Sequence, residues 1–448
     1  MAVVNEGPVS GERVGHERML LRAIGTWGLA ASIVNVTVGG GIFRLPGSVD
    51  VAGRLGAAAP LAYLACAVVM GLVVLCIALA GSRIALTGGP YAYVEATFGR
   101  YVGFLVGVLL WIIGSTAIPG VAGLFADAGA KLVPAIGTLA GRALFIGIIF
   151  AVVTFINVRG VQQGTRLNVA LTVAKLAPLL LLLVAGLVAT KGTNLRWDRG
   201  APSAGDLSRA SVILIFAFAG VESALVPSGE VRDSAHSVPR AVLLAMGLVT
   251  LLYVGLQVVA QGVLGASLPG NATPLADAAG RVFGGWGTAM IAVGFMISAF
   301  GYLSGMMLAV PRALFAFARD GILPRALSAV HARFHSPWVA IIVQSLICWV
   351  LAVLNSFETL AIIANVSAAL IYIACAAAAW KLTRRPAAAG SFTLPGGPIV
   401  PILAIVALLF LLSAVTLREW SVLVIVLAVA SVLYAMTTRQ RKERMRAG

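Results

Sequence analysis

The chain has 448 residues, 60% of them hydrophobic and 11% charged, with a formal net charge of +16. A soluble domain carries about 25% charged residues, so this composition excludes a soluble globular protein and implies a polytopic membrane protein. In that setting the basic excess does not point to nucleic acid; it asks which side of a bilayer holds the lysines and arginines.

A membrane helix needs about 20 apolar residues. Residues 1–22 are polar and are expected to form a cytoplasmic tail, with no cleavable signal peptide. Apolar windows then run 23–43, 55–82, 101–126, 143–158 and 167–190, the last interrupted only by Lys175. A short window at 210–221 continues past Glu222 to Ser228, and further windows lie at 241–276, 282–311, 336–357, 359–380, 386–417 and 420–438. Twelve spans would put both termini, including the basic tail 439–448, on the cytoplasmic side of the cell (inner) membrane. On that count the cytoplasmic segments hold 21 Lys and Arg and the external loops 10, the bias that sets orientation.

Cys66, Cys76, Cys348 and Cys375 all fall inside the windows and read as small apolar packing residues rather than a disulfide framework. His16, His236, His331 and His335 lie in the predicted cytoplasmic segments without metal-ligand spacing, so neither a metal nor another cofactor is expected.

The first window contains Val34 to Gly47, VNVTVGGGIFRLPG, with three successive glycines at membrane depth. Each glycine costs roughly 1 kcal/mol relative to alanine inside a helix. Non-helical backbone survives at this depth only where protein or a water-lined cavity satisfies it. Either the helix breaks here, or the glycines let two helices approach closely. A break would leave N–H groups suited to a carboxylate at the start of the outer piece. It would leave carbonyls around Val36 to Val38 suited to an ammonium or a cation.

Residues 215–230, IFAFAGVESALVPSGE, repeat the pattern: Gly220 in mid-window, Glu222 at depth and Pro227 at the end. Paired interrupted segments in two halves of a chain mark a transporter site at a repeat interface. The first opens span one and the second opens span six, the separation of an inverted five-helix repeat.

Two ionisable residues stand out. Lys175, in NVALTVAKLAPLLLLL, lies about mid-span, too far from Arg166 at the inner boundary to snorkel. A lysine there is a candidate proton carrier. Glu222 is either a second proton site or a structural carboxylate. Apart from these two, the inner part of the spans offers no acid to pair a cationic group, which argues against a cationic cargo. Asn35, Thr37, Tyr93, Trp111 and Tyr302 either line a pocket or pack between helices.

GGGIF followed by a proline, at 39–46, resembles the G-S-G-I-F signature of the amino acid–polyamine–organocation transporters, and FAFAGVES, at 216–223, resembles their sixth-span motif. TGGPYAYVEATFGRYVGFLVG (87–107) and AVPRALFAFARDGILP (309–324) match two further family segments in order, with Pro311 and Phe317 as departures. The resemblance covers spans one to nine.

It implies an all-α polytopic protein of the leucine-transporter fold, with two inverted five-helix repeats, 23–190 and 207–382, and two added spans in 386–438. By the same resemblance, the substrate carboxylate would meet backbone N–H groups of Gly40, Gly41 and Ile42. Its ammonium would meet carbonyls near Thr37 or Val38, and near Phe216 and Ala219, with Gly39, Ala217 and Gly220 completing the site. Phe216 takes the place of an aromatic gate. Lys175 would join span one to span eight through Ser304, and Arg312, Arg319 and Asp320 would fix a cytoplasmic gate. The implied activity is amino acid transport, by proton symport or by exchange, as a monomer or homodimer in the lipid bilayer. Cationic amino acids or polyamines are the alternative cargo. An intramembrane enzyme would need a nucleophile or metal cluster that the spans lack, and a transport-inactive sensor would usually add a soluble domain.

Overall fold

The computed structural model describes residues 25–84, 89–159, 165–197, 200–220, 231, 234–319, 321–334, 336–384 and 392–447. The break in the first window is present. Helix α1 (Thr26–Thr37) stops, and α2 (Gly40–Arg44) resumes at an angle, giving a bent pair of 45° that continues through a tight turn to Gly53. Then follow α3 (Ala59–Arg83), the short α4 (Pro90–Phe98) and the long α5 (Arg100–Leu132). Gly99, at φ +90°, supplies the sharp corner between α4 and α5 that a side chain would resist.

Helices α6 (Leu139–Val158), α7 (Thr165–Ala189) and α8 (Ala204–Phe218) come next. The starts of α6 and α8 are chemically marked: the Thr138 hydroxyl accepts from the Gly141 N–H at 3.1 Å, and Ser203 does the same for Asp206 at 3.1 Å. The second half holds α9 (Ser234–Leu264), α10 (Pro274–Phe283), α11 (Gly285–Ala309) and α12 (Pro311–Arg319). It closes with α13 (Trp338–Leu354), α14 (Phe357–Thr383), α15 (Ile399–Leu412) and α16 (Leu417–Ala447).

Seven of these helices are long and apolar enough to cross a membrane, or eight with the bent α1–α2 pair. The other expected windows hold shorter apolar helices: α13, α15, the apolar end of α7, and α8, which stops at its own break. All the regular elements that organise the described residues are helices, and the protein is an all-α polytopic membrane protein.

Burial separates centre from edge. In α14, 72% of the spanning window is inside the protein; in α16 the figure is 11%. α14 packs along α5, while α9 packs against α1 and α3. The four cysteines are free and buried, as packing residues should be.

Candidate functional site

The two breaks face each other. At the end of α1, the Val38 N–H still reaches the Val34 carbonyl at 2.9 Å and the Gly39 N–H reaches the Thr37 carbonyl at 2.8 Å. After Gly39 the ladder restarts, and no side chain caps the first turn of α2. The glycines serve proximity. A Cβ on Gly41 would sit 3.1 Å from the Ala217 Cα and from the Phe216 ring, and one on Gly40 would sit 3.3 Å from Val121. α8 ends at Phe218, and Gly220 then turns the chain at φ +116°, with Val36 only 2.9 Å from where its Cβ would be.

Between the breaks lies a cavity of about 360 Å³. Its wall takes Thr37, Gly39, Gly40 and Gly41 from the first break, and Phe216, Ala219 and Gly220 from the second. α5, α11 and α14 close the remainder with Val121, Tyr302, Ser298 and Asn365 among others. Lys175 also faces it and is the one charged residue among the described lining residues.

Lys175 is 7% exposed, and its ammonium donates to the Asn35 carbonyl in the last turn of α1. That contact ties α7 to the broken helix and gives a helix-end carbonyl the donor it otherwise lacks. Ser304 is buried on α11, beside the lining residues Gly301, Tyr302 and Gly305. Val38 and Ile42 were expected to serve the site through their backbone; their side chains, and that of Ala217, are buried and do not line the cavity. Only their backbone stands at the breaks. Of the five polar residues left open by the sequence, Asn35, Thr37 and Tyr302 line the cavity. Tyr93 is fully buried elsewhere, and the Trp111 indole donates to Gln344 at 2.9 Å. Arg312 and Arg319 stand on α12, beyond the end of α11. Glu222 and Asp320 lie outside the described residues.

Sequence reasoning missed Tyr253. Its hydroxyl is 2.9 Å from the Thr37 carbonyl and 2.9 Å from the Ala217 carbonyl. One hydroxyl proton thus serves a last-turn carbonyl of α1 and one of α8, groups that cost free energy at membrane depth if left unsatisfied. The Thr37 carbonyl, already met by Gly39 and Tyr253, is correspondingly less open to an ammonium. The available sequence signal was a stripe on α9, where Tyr253, Gln257 and Gln261 recur at helical spacing.

The face carrying Arg44 is closed above the cavity. Phe216 meets Phe357 edge-on, ring centres 5.1 Å apart. Over that pair, Arg44 donates to Glu358 at 3.0 and 2.5 Å and also to the Asn271 carbonyl. Further out, Arg209 on α8 bridges Asp50 at 3.5 Å and Glu419 at 2.9 Å, joining the turn after α2 to the start of α16.

Comparison with known proteins gives the family. A family model described as amino acid permease matches residues 24–437. The chain is 30% identical over 410 residues to the serine/threonine exchanger SteT of Bacillus subtilis (strain 168), covering 89% of this chain and 92% of that one. It is 24% identical to the branched-chain amino acid permease BcaP of the same organism, covering 88% of each. The L-lysine transport protein of Corynebacterium glutamicum is 33% identical over 344 residues, 71% of this chain and 66% of that one. The family match takes in both breaks, Lys175 and the cavity between them, and the chain belongs to the amino acid permease family of membrane transporters.

Proposed function

We propose that the protein carries small neutral L-amino acids across the cell membrane by proton symport, with alternating access around the central cavity. The observation that carries this reading is one cavity lined by the ends of α1 and α8, the start of α2 and one buried lysine. In the proposed pose, the uncapped N–H groups of Gly40, Gly41 and Ile42 take the substrate carboxylate, where the helix dipole favours negative charge. Break carbonyls near Val36 and Ala219 take the ammonium. Residues 23–190 and 207–382 act as the two inverted halves, and both termini are cytoplasmic, so the closed face over Phe216 is external.

The cargo follows from size and charge. A volume of about 360 Å³ suits a compact amino acid with some water, and the cation lining it is Lys175. A second cation brought beside that ammonium would be repelled in a low-dielectric site. Lys175, held on the α1 backbone, is placed to couple its protonation to movement of that helix; Glu222 and Ser304 belong to the same proposed coupling group. Arg312, Arg319 and Asp320 are proposed to secure the cytoplasmic gate.

Exchange is the second reading, favoured by the extended similarity to a protein named as a serine/threonine exchanger. Uptake of labelled serine, threonine, alanine and leucine into proteoliposomes separates the two. Symport predicts uptake into empty vesicles that rises with an inside-alkaline gradient and is lost in Lys175→Ala. Uptake only into amino-acid-loaded vesicles, indifferent to the gradient, would replace symport by exchange. Lysine uptake exceeding that of the neutral amino acids would overturn the proposed cargo.

A further inference from the structure

A second recess among the described residues is remote from the central cavity. It is a groove of about 650 Å³ between α6 and α13, on the membrane-facing side. Its floor is apolar for a structural reason: the polar groups there satisfy one another. Thr154 and Ser345 are hydrogen-bonded hydroxyl to hydroxyl, and the Ser336 hydroxyl donates to the Val158 carbonyl at 2.6 Å. At one end the Trp349 indole donates to the Ala143 carbonyl at 3.0 Å and forms a stop beside Gly147.

The other end is basic. Arg159, directly after α6, lies 4.1 Å from the centre of the Phe155 ring, and Arg333 lies 5.5 Å from that of Phe334; both rings line the groove. Neither guanidinium has a carboxylate partner among the described residues. α6 and α13 carry no acidic residue at all. From Gly147 to Arg159 the helical rise gives about 18 Å, close to the roughly 15 Å thickness of one leaflet's hydrocarbon. The recess thus runs from mid-membrane to one interface, with its two cations at that interface.

We propose that this groove binds an anionic phospholipid, with an acyl chain lying between α6 and α13 and the headgroup phosphate held by Arg159 and Arg333. Basic pockets between spanning helices recognise anionic headgroups in this way, and a guanidinium matches phosphate oxygens two at a time. A second copy of the chain fits less well. A twofold contact through this face would set the same arginines against each other, with no acidic side chain on either helix to separate them.

The test is native mass spectrometry of the purified, delipidated protein with added phosphatidylglycerol or phosphatidylcholine of identical acyl chains. Phosphatidylglycerol is expected to be retained about tenfold better, the equivalent of roughly 1.4 kcal/mol. Arg159→Gln combined with Arg333→Gln should bring the ratio close to one. Ala151→Trp, which fills the groove, should reduce retention of both lipids; Leu346→Trp, on the exposed rim of the opposite wall, repeats the test if the first variant is not monodisperse. An unchanged lipid ratio in the double arginine variant overturns the headgroup assignment. Undiminished retention in both groove-filling variants overturns the site. A dimer that these variants dissolve overturns it in favour of a second copy as occupant. All readouts are independent of transport.

Discussion

The two helix breaks reach the same result by different physics. In the first, Gly39, Gly40 and Gly41 all have backbone conformations open to other residues; what excludes side chains at Gly40 and Gly41 is the nearness of Val121, Phe216 and Ala217. In the second, Gly220 sits at φ +116°, which the backbone of an L-residue resists whatever the space around it. One break is fixed by crowding and the other by conformation. A run of glycines is therefore not a set of equal positions, and single substitutions should separate them.

Gly220→Ala should do the most damage, since it meets both obstacles: strain of about 1–3 kcal/mol and Val36 at 2.9 Å. Transport in proteoliposomes should fall at least about a hundredfold, and near-normal uptake would refute a conformational origin for the second break. Gly41→Ala comes next. Its new methyl meets backbone at Ala217, which cannot rotate aside, and overpacking of that kind costs about 1–3 kcal/mol. We expect roughly a tenfold loss of uptake, partly recovered by Phe216→Leu, which relieves the ring contact; no recovery would place the crowding wholly in the backbone.

Tyr253→Phe keeps the ring and removes the proton shared between the breaks. It should lower thermal stability by about 1 kcal/mol, and the loss should be smaller when the second break is already disrupted by Gly220→Ala. An additive loss would mean that Tyr253 acts away from the breaks. Gly39→Ala is the smallest change: the nearest atom to the added methyl is the Val36 carbonyl at 3.7 Å. Stability should stay within about 0.5 kcal/mol and uptake within about twofold. A severe defect at Gly39 would show that crowding is not what distinguishes the three glycines.

Much of the site was legible because its signals are local. Three glycines in an apolar window, a lysine amid leucines, and a second window cut by Gly220 each announce themselves within a few residues. The pairings that close the site are not local. Arg44 and Glu358 are 314 residues apart, and nothing near either names the other. Tyr253 finds Thr37 across 216 residues and Ala217 across 36. Val38, Ile42 and Ala217 show a division the sequence does not spell out: each stands at a break while its side chain packs away from the cavity. The twelve apolar windows exceed the seven or eight helices among the described residues that are long and apolar enough to cross a membrane, because α13 and α15 are short and the first window is bent at its glycines.

The arrangement around Tyr253 has a mechanical consequence. A single proton divided between two acceptors holds neither at full strength. If the α1 end retreats, the bond to Ala217 shortens and strengthens; if the α8 end retreats, the bond to Thr37 does. The loss on one side is offset by the gain on the other, so small displacements in either direction are opposed by little net force. The hydroxyl behaves as a compliant joint between the ends of α1 and α8, firm against separation of both and yielding to the motion of one.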